Sequence, residues 1–172
     1  MTKKRKELLD KSEIDRSLTR VAHVESLVLI GIRTRGEFIA ARLAKSLKKI
    51  SGVDVPTGFL DVTFYRDDFR ERLIQPQVKG TDISFSLDGK IVLLADDVLF
   101  TGRTIRAAMN EIMDFGRPAS VALAVLVDRG HREMPIKADF VGKNIPTSNT
   151  EHVLVRLSEL DDEDAVYLVS YE

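Results

Sequence analysis

Apolar residues along the chain form short continuous runs that are each followed by a segment of helical spacing. The runs over residues 27–32 and 91–95 are almost entirely aliphatic, as in strands that are buried on both faces of a sheet. Behind them, residues 36–50 and 104–115 place apolar side chains at the spacing of a helix. The pattern therefore predicts two strand–helix units.

The remaining segments extend this alternation. Strands are predicted over residues 59–65 and 121–127, and a helix is predicted to begin at Ser12. Residues 66–81 are polar and charged and contain a proline and a glycine, which predicts a long exposed loop. Alternating strands and helices are typical of βαβ units, so we expect an α/β fold with a mainly parallel central sheet. Because no repeat or linker interrupts the chain, residues 1–172 are interpreted as a single domain.

Composition narrows the class of protein. Of the 172 residues, 44% are hydrophobic and 31% are charged, as in soluble globular proteins. The sequence has no cysteine, which excludes disulfides, thiolate metal sites and a cysteine nucleophile and suits a cytoplasmic protein. No apolar run is long enough to span a membrane. The basic segment 1–6 has no apolar stretch behind it and is not interpreted as a signal peptide.

The net charge of −1 conceals an uneven distribution along the chain. Residues 1–49 carry 13 Lys and Arg against 6 Asp and Glu, whereas residues 150–172 carry 1 against 7. This asymmetry indicates a basic face with an anionic partner, or alternatively a solvated surface with an acidic tail. The three histidines are scattered and lack the spacing of metal ligands.

The most specific pattern is found where an apolar strand meets two carboxylates. Asp96 and Asp97 are followed by a short loop with Thr101 and Gly102, and a helix opens at Thr104. The N–H groups at a helix start and the threonine hydroxyls can hold a phosphate, and the glycine permits close approach. The carboxylates would be repelled by that phosphate and are suited to sugar hydroxyls. The pattern predicts a sugar-phosphate site, with capping of the helix by the two acids and Thr104 as the alternative.

A second candidate anion site follows the strand over residues 27–32. The segment Arg33, Thr34, Arg35 and Gly36 connects that strand to a helix. The helix dipole disfavours arginine at a helix start, so a bound anion accounts for the two arginines better than an ordinary surface does. Both candidate loops follow strands, and ligands of parallel sheets bind beyond the carboxyl ends of the strands.

Residues 91–104, with their apolar run, two acids and Thr-Gly loop ending in Thr, resemble the motif with which type I phosphoribosyltransferases bind phosphoribosyl pyrophosphate (PRPP). The resemblance extends over nearly the whole chain to one branch, the PyrR family, through the stretches 18–23, 31–36, 61–68, 124–133 and 138–148. It implies the type I phosphoribosyltransferase fold, with helices flanking the central sheet, a small hood and a flexible loop. It further implies uracil phosphoribosyltransferase activity, and regulation of pyrimidine genes by uridine-nucleotide-dependent binding to leader mRNA.

The resemblance also implies roles for individual residues. Asp96 and Asp97 are implied to be catalytic and to favour a cationic ribose, and Arg66 at the base of the flexible loop is a further catalytic candidate. Mg²⁺ is implied as the cofactor, bound through PRPP with Asp96 and Asp97 as candidate ligands. The 5′-phosphate is expected at Val98, Leu99, Phe100, Thr101, Gly102, Arg103 and Thr104. The pyrophosphate is expected at Arg33, Thr34, Arg35 and Gly36.

The base-binding and RNA-binding residues are also implied by the resemblance. Asp128 stands where purine-specific relatives carry a lysine, which indicates a different base. Phe140 and Val141 resemble residues that contact the base, with core packing as an equal alternative for Phe140. The family's RNA-facing positions correspond to Thr19, His23, His131, Arg132, Lys137 and Lys143. Arg20, next to Thr19, is added to this set as a further positive charge. These residues could instead shape a dimer surface, and the segment 24–26 is shorter than in relatives.

Two other functions remain open at this level. One is a regulator that senses PRPP or a nucleotide with little catalysis, and the other is a purine phosphoribosyltransferase, against which Asp128 argues. The partners implied are PRPP, uracil, UMP, UTP, a leader mRNA hairpin and further copies of the chain, as a homodimer or a higher homo-oligomer.

Overall fold

A parallel five-stranded sheet lies at the centre of the fold. The computed structural model describes residues 3–10, 26–62 and 80–171. The elements, in chain order, are β1 (Lys3–Asp10), β2 (Leu27–Ile32), α1 (Arg35–Ser51), β3 (Thr57–Leu60), β4 (Ile91–Leu99), α2 (Arg103–Asp114), β5 (Ser120–Asp128), β6 (Phe140–Asn144), β7 (Glu151–Arg156), α3 (Ser158–Asp161) and β8 (Ala165–Tyr171). The central sheet has the order β3-β2-β4-β5-β6, and all neighbouring strands in it are parallel. The predicted α/β class with a mainly parallel sheet is confirmed.

Both faces of the central sheet are buried, because its strands send side chains alternately into two hydrophobic clusters. On β2, Leu27 and Leu29 pack in a first cluster that includes residues of α1. Val28 and Ile30 pack in a second cluster that includes residues of α2. All six residues of β2 are buried, so the prediction of a strand covered on both faces is confirmed.

A smaller antiparallel sheet with the order β1-β8-β7 shares the first of these clusters. Val155 of β7 and Val166 of β8 are both buried there, together with Leu93 of β4. This sheet matches the small hood that the resemblance implied. The sequence patterns did not predict its strands. The sequence of β1 is charged and resembles a basic tail, but in the structure this strand pairs with β8 in antiparallel orientation.

The predicted strand over 59–65 is wrong in its bounds. The observed β3 begins at Thr57 and ends at Leu60. Beyond it, the Asp61 N–H donates a hydrogen bond to Thr81 Oγ1 at 3.2 Å instead of continuing the parallel ladder. The predicted loop over 66–81 lies outside the described residues except for its last two.

The strand that carries the acidic pair is longer than predicted. β4 continues to Leu99, four residues beyond the predicted end. Asp96 lies in register with Val125 of β5, so the acidic residues interrupt the apolar pattern without interrupting the backbone ladder. Both long helices match their predicted ranges to within one residue at each end. The helix predicted from Ser12 lies outside the described residues.

Ion pairs between α1 and the α3 turn account for part of the charge asymmetry. Arg42 contacts Glu159 and Asp164, each with an N–O distance of 2.6 Å, and Arg35 contacts Asp161 at 3.1 Å. Hydrogen bonds from Arg42 lower the pKa of the Glu159 carboxyl. The acidic end of the chain is therefore in part a partner for the basic residues of α1. Among the described residues, no helix is long and apolar enough to cross a membrane.

Candidate active site

The acidic pair lies within β4, near its carboxyl end. Asp96 is 4% exposed, and its Oδ1 accepts a hydrogen bond from the Asp97 N–H at 2.9 Å. Asp97 is half-buried, and its Oδ1 accepts a hydrogen bond from the Val98 N–H at 2.8 Å. The N-cap of α2 is Gly102, and the Thr101 hydroxyl oxygen accepts a hydrogen bond from the Arg103 N–H at 3.3 Å. The alternative that the two acids cap this helix is therefore wrong.

The loop between β4 and α2 is held by the segment that follows β5. The Thr101 carbonyl accepts hydrogen bonds from the N–H groups of Glu133 and Met134 at 3.0 and 2.9 Å. Gly102 adopts a φ of 92°, and a Cβ at this position would lie 3.1 Å from the Met134 Cβ. The positive φ together with this close approach explains why glycine occupies the helix start.

The residues of the predicted phosphate loop offer different groups to a ligand. Leu99 is buried in the second hydrophobic cluster, so its side chain is not available. The Arg103 Nε donates a hydrogen bond to Glu133 Oε2 at 2.7 Å. Thr101 is 4% exposed, and Thr104 is half-buried in the first turn of α2. A phosphate at this loop would therefore depend on backbone N–H groups and threonine hydroxyls more than on the arginine.

The other predicted anion loop packs directly against β4. A Cβ at Gly36 would lie 2.4 Å from the Ala95 carbonyl oxygen and 3.3 Å from the Asp96 Cα, which leaves no room for a larger residue. The peptide bond between Arg33 and Thr34 is cis. The loop over residues 33–36 therefore lies against β4 beside the acidic pair, which directly precedes the predicted phosphate loop.

The arginines of this loop are paired within the protein. Arg33 Nε lies 3.3 Å from Glu37 Oε2, and its guanidinium lies 5.6 Å from the centre of the Phe59 ring. Arg35 Nη2 donates to both carboxylate oxygens of Asp161, at 3.2 and 3.1 Å. These acidic partners offset the unfavourable helix dipole, so the position of the arginines does not by itself require a bound anion.

Asp128 ends β5, but its carboxylate already has partners. Its Oδ1 accepts a hydrogen bond from the Gly130 N–H at 3.0 Å, and its Oδ2 is paired with Arg132 Nη2. Arg132 Nη1 also donates to the Phe100 carbonyl at 2.5 Å and to the Gly130 carbonyl at 3.0 Å. A predicted base-binding residue and a predicted RNA-binding residue are therefore partners of each other, next to the phosphate loop.

Phe140 and Val141 lie at the start of β6. Their register partners on β5 are Ala124 and Val125, and the ends of the two strands are aligned four residues later. Phe140 packs against the first hydrophobic cluster and Val141 against the second. Core packing, the alternative considered for Phe140, accounts for the position of both side chains. Contact of either residue with a base stays a prediction.

Arg129 was not among the predicted site residues, although it lies at the centre of this region. It is 5% exposed, and its guanidinium lies 4.1 Å from the centre of the Phe100 ring. Its Nε donates to Thr147 Oγ1 at 3.0 Å, and its Nη2 donates to the Glu151 carbonyl at 2.6 Å. Burial lowers the pKa of Arg129. One side chain thus joins the phosphate loop to the segment that enters β7.

Several predicted residues lie outside the described part of the chain. These are Thr19, Arg20 and His23 of the predicted RNA surface and Arg66 of the predicted catalytic set. Of the other predicted RNA-binding residues, His131 packs edge-on against Phe100 with ring centres 5.9 Å apart. Lys137 is exposed and Lys143 is half-buried.

The acidic pair fits a magnesium ion that is bound mainly through its substrate. Mg²⁺ is commonly held by one or two carboxylates together with substrate phosphates and water. Asp97 uses only Oδ1 in its hydrogen bond to the backbone, so its second oxygen is suited to such a contact. Among residues 3–10, 26–62 and 80–171 there is no cluster of three or more potential metal ligands, and this mode of binding needs none.

Comparison with known proteins gives matches over nearly the full chain. A family model described as a phosphoribosyl transferase domain matches residues 6–160. A protein named bifunctional protein PyrR from Pelotomaculum thermopropionicum is 53% identical, with 98% of each chain covered. A protein of the same name from Clostridioides difficile is 52% identical, with 93% of this chain and 95% of the relative covered.

Solved structures with the same fold include purine-specific enzymes. The hypoxanthine phosphoribosyltransferase of Trypanosoma cruzi has a TM-score of 0.70 at 24% identity, and 97% of each chain is covered. A hypoxanthine-guanine phosphoribosyltransferase from Bacillus anthracis has a TM-score of 0.70 at 18% identity, covering 97% of this chain and 98% of the other. At this level of identity the likeness shows the fold and not the choice of base.

Proposed function

Because the chain belongs to the PyrR family of proteins with a phosphoribosyl transferase domain, we propose that it transfers the ribosyl phosphate of PRPP to uracil. The bond between ribose C1 and the pyrophosphate oxygen breaks, a bond forms from C1 to N1 of uracil, and the N1 proton passes to the leaving pyrophosphate or to water. The products are UMP and pyrophosphate. The observation that carries this proposal is the close packing of the Gly36 loop against β4, beside the acidic pair that opens the phosphate loop.

The two loops divide the anionic parts of PRPP between them. The phosphate loop, residues 98–104, binds the 5′-phosphate through N–H groups at the start of α2 and through threonine hydroxyls. The loop of Arg33, Thr34, Arg35 and Gly36 binds the pyrophosphate. The ribose then lies over Asp96 and Asp97, because the loop over residues 33–36 packs against β4 at Ala95 and Asp96, directly before the phosphate loop.

Catalysis in this proposal comes from positioning and electrostatics. Transfer at C1 of a sugar passes through a transition state that resembles an oxocarbenium ion. The carboxylates of Asp96 and Asp97 stabilise this positive charge, and the fixed loops hold C1 and the base in line. Arg66 is retained as a catalytic candidate through the resemblance alone. Bound Mg²⁺ would offset the charge of the leaving pyrophosphate, with Asp96 and Asp97 as its protein ligands.

Uracil as the acceptor is supported by the family and by the chemistry at the end of β5. Purine-specific relatives carry a lysine at the position of Asp128. Here the charge of Asp128 is compensated by Arg132, so the wall beside the base is an ion pair and not a single cation. Phe140 and Val141 enter the proposal as base contacts through the resemblance. A purine acceptor is not favoured by relatives named PyrR at 53% and 52% identity.

We also propose the second activity that the resemblance implies, the control of pyrimidine genes through leader mRNA. Uridine nucleotides at the active site would favour RNA binding. The proposed RNA surface comprises Thr19, Arg20, His23, His131, Arg132, Lys137 and Lys143. The contacts of His131 and Arg132 with Phe100 offer a direct route between a bound nucleotide and this surface.

The wider setting of the protein follows from these two activities. PRPP and nascent mRNA are both found in the bacterial cytoplasm, so we propose that the protein acts there. We propose that residues 1–172 act as one phosphoribosyltransferase domain and that copies of the chain assemble as a homodimer or a higher homo-oligomer. Size-exclusion chromatography with light scattering tests the assembly, and a monomeric mass would contradict it.

Nucleobase competition tests the proposed reaction. The purified chain is incubated with PRPP, Mg²⁺ and equal amounts of uracil, hypoxanthine, guanine and adenine, and the nucleotide products are separated by chromatography. UMP alone is the expected product, and chelation of Mg²⁺ with EDTA should abolish it. A purine nucleotide would refute the choice of base while leaving the reaction type intact. Binding of PRPP without any product would favour the nucleotide-sensing regulator with little catalysis.

A further inference from the structure

One carboxylate joins the predicted pyrophosphate loop to the small sheet. Asp161, at the end of α3, receives hydrogen bonds from three donors. Arg35 Nη2 lies 3.2 and 3.1 Å from its two oxygens, Arg156 Nη1 lies 2.7 Å from Oδ1, and the Leu157 N–H lies 3.0 Å from Oδ2. The Asp161 side chain is only 7% exposed. Burial opposes its ionisation, but these hydrogen bonds outweigh burial and lower the pKa of the carboxyl.

Of these three donors, Arg35 is the one that a ligand could take over. Its contacts with Asp161 are longer than that of Arg156, and its side chain is 28% exposed. Asp161 would keep Arg156 and the Leu157 N–H if Arg35 moved, so it would not become an unpaired buried charge.

The position of Arg35 in the chain indicates that the competing ligand is an anion. Arg35 directly precedes Gly36, whose backbone is in contact with β4 beside the acidic pair. Arg35 thus belongs to the loop that is proposed to bind pyrophosphate, and arginine binds phosphate oxygens through paired N–H donors. Pyrophosphate and Asp161 are thus alternative acceptors for one arginine.

We propose that Asp161 is a positioning residue that competes with pyrophosphate for Arg35 and so weakens retention of this product. The inference rests on the proposed function, in which this loop binds pyrophosphate. Product release limits the turnover of many enzymes, and a group that binds substrate and product equally well adds nothing to the rate of the chemical step. Because Arg35 must leave Asp161 before it can bind pyrophosphate, the ion pair limits how tightly the free product is bound.

The chain contains a matched control for this idea. Arg42, two turns further along α1, makes an equivalent bridge to Asp164 in the segment after α3. Asp164 also accepts a backbone hydrogen bond, from the Ser158 N–H at 2.8 Å, and its side chain is 2% exposed. Asp161→Asn and Asp164→Asn therefore remove the same charge from similar surroundings, but only the first changes the partner of Arg35.

Calorimetric titration of the full chain with pyrophosphate and Mg²⁺ tests the proposal. The interaction of such a partly exposed ion pair corresponds to about a two- to fivefold change in affinity. Asp161→Asn should therefore bind pyrophosphate about two- to fivefold more tightly than the wild type and show stronger product inhibition in UMP formation. Asp164→Asn should bind it like the wild type, and adding Arg35→Gln to Asp161→Asn should remove the gain.

Each contrary result has a distinct meaning. Unchanged or weaker binding by Asp161→Asn, with normal binding and transfer by the wild type, would overturn this inference alone. An equal gain in Asp164→Asn would overturn it as well, because the effect would then be one of general charge. If Asp161→Asn does not fold, Asp161→Ser, which also removes the charge, takes its place: tighter binding of pyrophosphate would support the inference, and unchanged binding would overturn it. Wild-type protein that neither binds pyrophosphate nor forms a nucleotide would refute the proposed function and this inference together.

Discussion

Replacing Gly36 by alanine should strongly impair the use of PRPP in a protein that still folds. The added Cβ would lie 2.4 Å from the Ala95 carbonyl oxygen, whereas ordinary contact begins at 3.4 Å, so the loop must retreat by about 1 Å. The obstacle is backbone in the middle of the central sheet and cannot rotate away. A displacement of about 1 Å at a reacting group lowers the rate by roughly 100-fold. This corresponds to about 2.7 kcal/mol of transition-state stabilisation.

The assay compares kcat/KM for PRPP at saturating uracil with the free energy of unfolding in urea. Gly36→Ala should lose about 100-fold in kcat/KM and about 1–3 kcal/mol of stability, the usual range for overpacking. Gly52→Ala is the matched control at the other end of α1. Gly52 has a φ of 75° and open space around it, so alanine there is strained without moving the loop. It should lose about 1–2 kcal/mol of stability and keep its kcat/KM.

A folded Gly36→Ala protein with wild-type kcat/KM for PRPP would refute this reasoning. It would mean that the contact between the loop and β4 does not set the position of the pyrophosphate. An equal loss of activity in Gly52→Ala would refute it differently, because stability alone would then explain the result.

Three further predictions follow from the same contacts. Arg129→Lys and Phe100→Leu should each raise the KM for PRPP. Because the guanidinium lies on the ring, the double mutant should lose less transition-state stabilisation than the two single losses added together. Losses that simply add would contradict a shared role. Arg132→Gln should weaken leader-RNA binding in a filter assay. It should also raise the KM for PRPP, because Arg132 donates a hydrogen bond to the Phe100 carbonyl in the phosphate loop. A loss of RNA binding alone would show that the RNA surface and the PRPP site are separate. The folded-state pKa values of Asp161 and Asp164 are lowered, so their stabilising contribution is present above the unfolded-state pKa and is lost as pH falls below about 4. The unfolding free energy of Asp161→Asn/Asp164→Asn should therefore fall less than that of the wild type between pH 5 and pH 3, and an identical fall would count against these ion pairs.

The sequence predicted the parts of the fold that depend on local pattern. The short, mostly aliphatic run of β2 favours a strand covered on both faces, and the amphipathic spacing of α1 and α2 predicted their bounds to within one residue. The end of β4 was missed because Asp96 and Asp97 break the apolar run while their backbone stays in the ladder. β1 was missed because its partner, β8, lies at the other end of the chain.

In the candidate site too, features that depend on local sequence were predicted and those that depend on long-range contacts were not. The two anion loops were predicted because a strand, a glycine-containing turn and a helix follow one another in sequence. The pairing of Arg35 with Asp161 spans 126 residues, and no local pattern reports it. Arg129 was missed for a related reason, because an arginine is expected to be exposed. In the structure it packs on Phe100 and donates hydrogen bonds to three backbone or hydroxyl oxygens. Two signals were available, its position directly after Asp128 at the end of a strand and its place in the stretch 124–133 that carries the resemblance.

The stoichiometry of uracil-dependent pyrophosphate release tests the central claim most directly. Labelled uracil, PRPP and Mg²⁺ are incubated with the wild type and with Asp97→Asn, and UMP and pyrophosphate are measured in the same samples over time. We expect the wild type to form the two products in equal amounts, with no pyrophosphate released when uracil is omitted. Asp97→Asn, which keeps the shape of the site, should form neither at a comparable rate. Pyrophosphate release without UMP, or full activity in Asp97→Asn, would contradict transfer to uracil at this acidic pair.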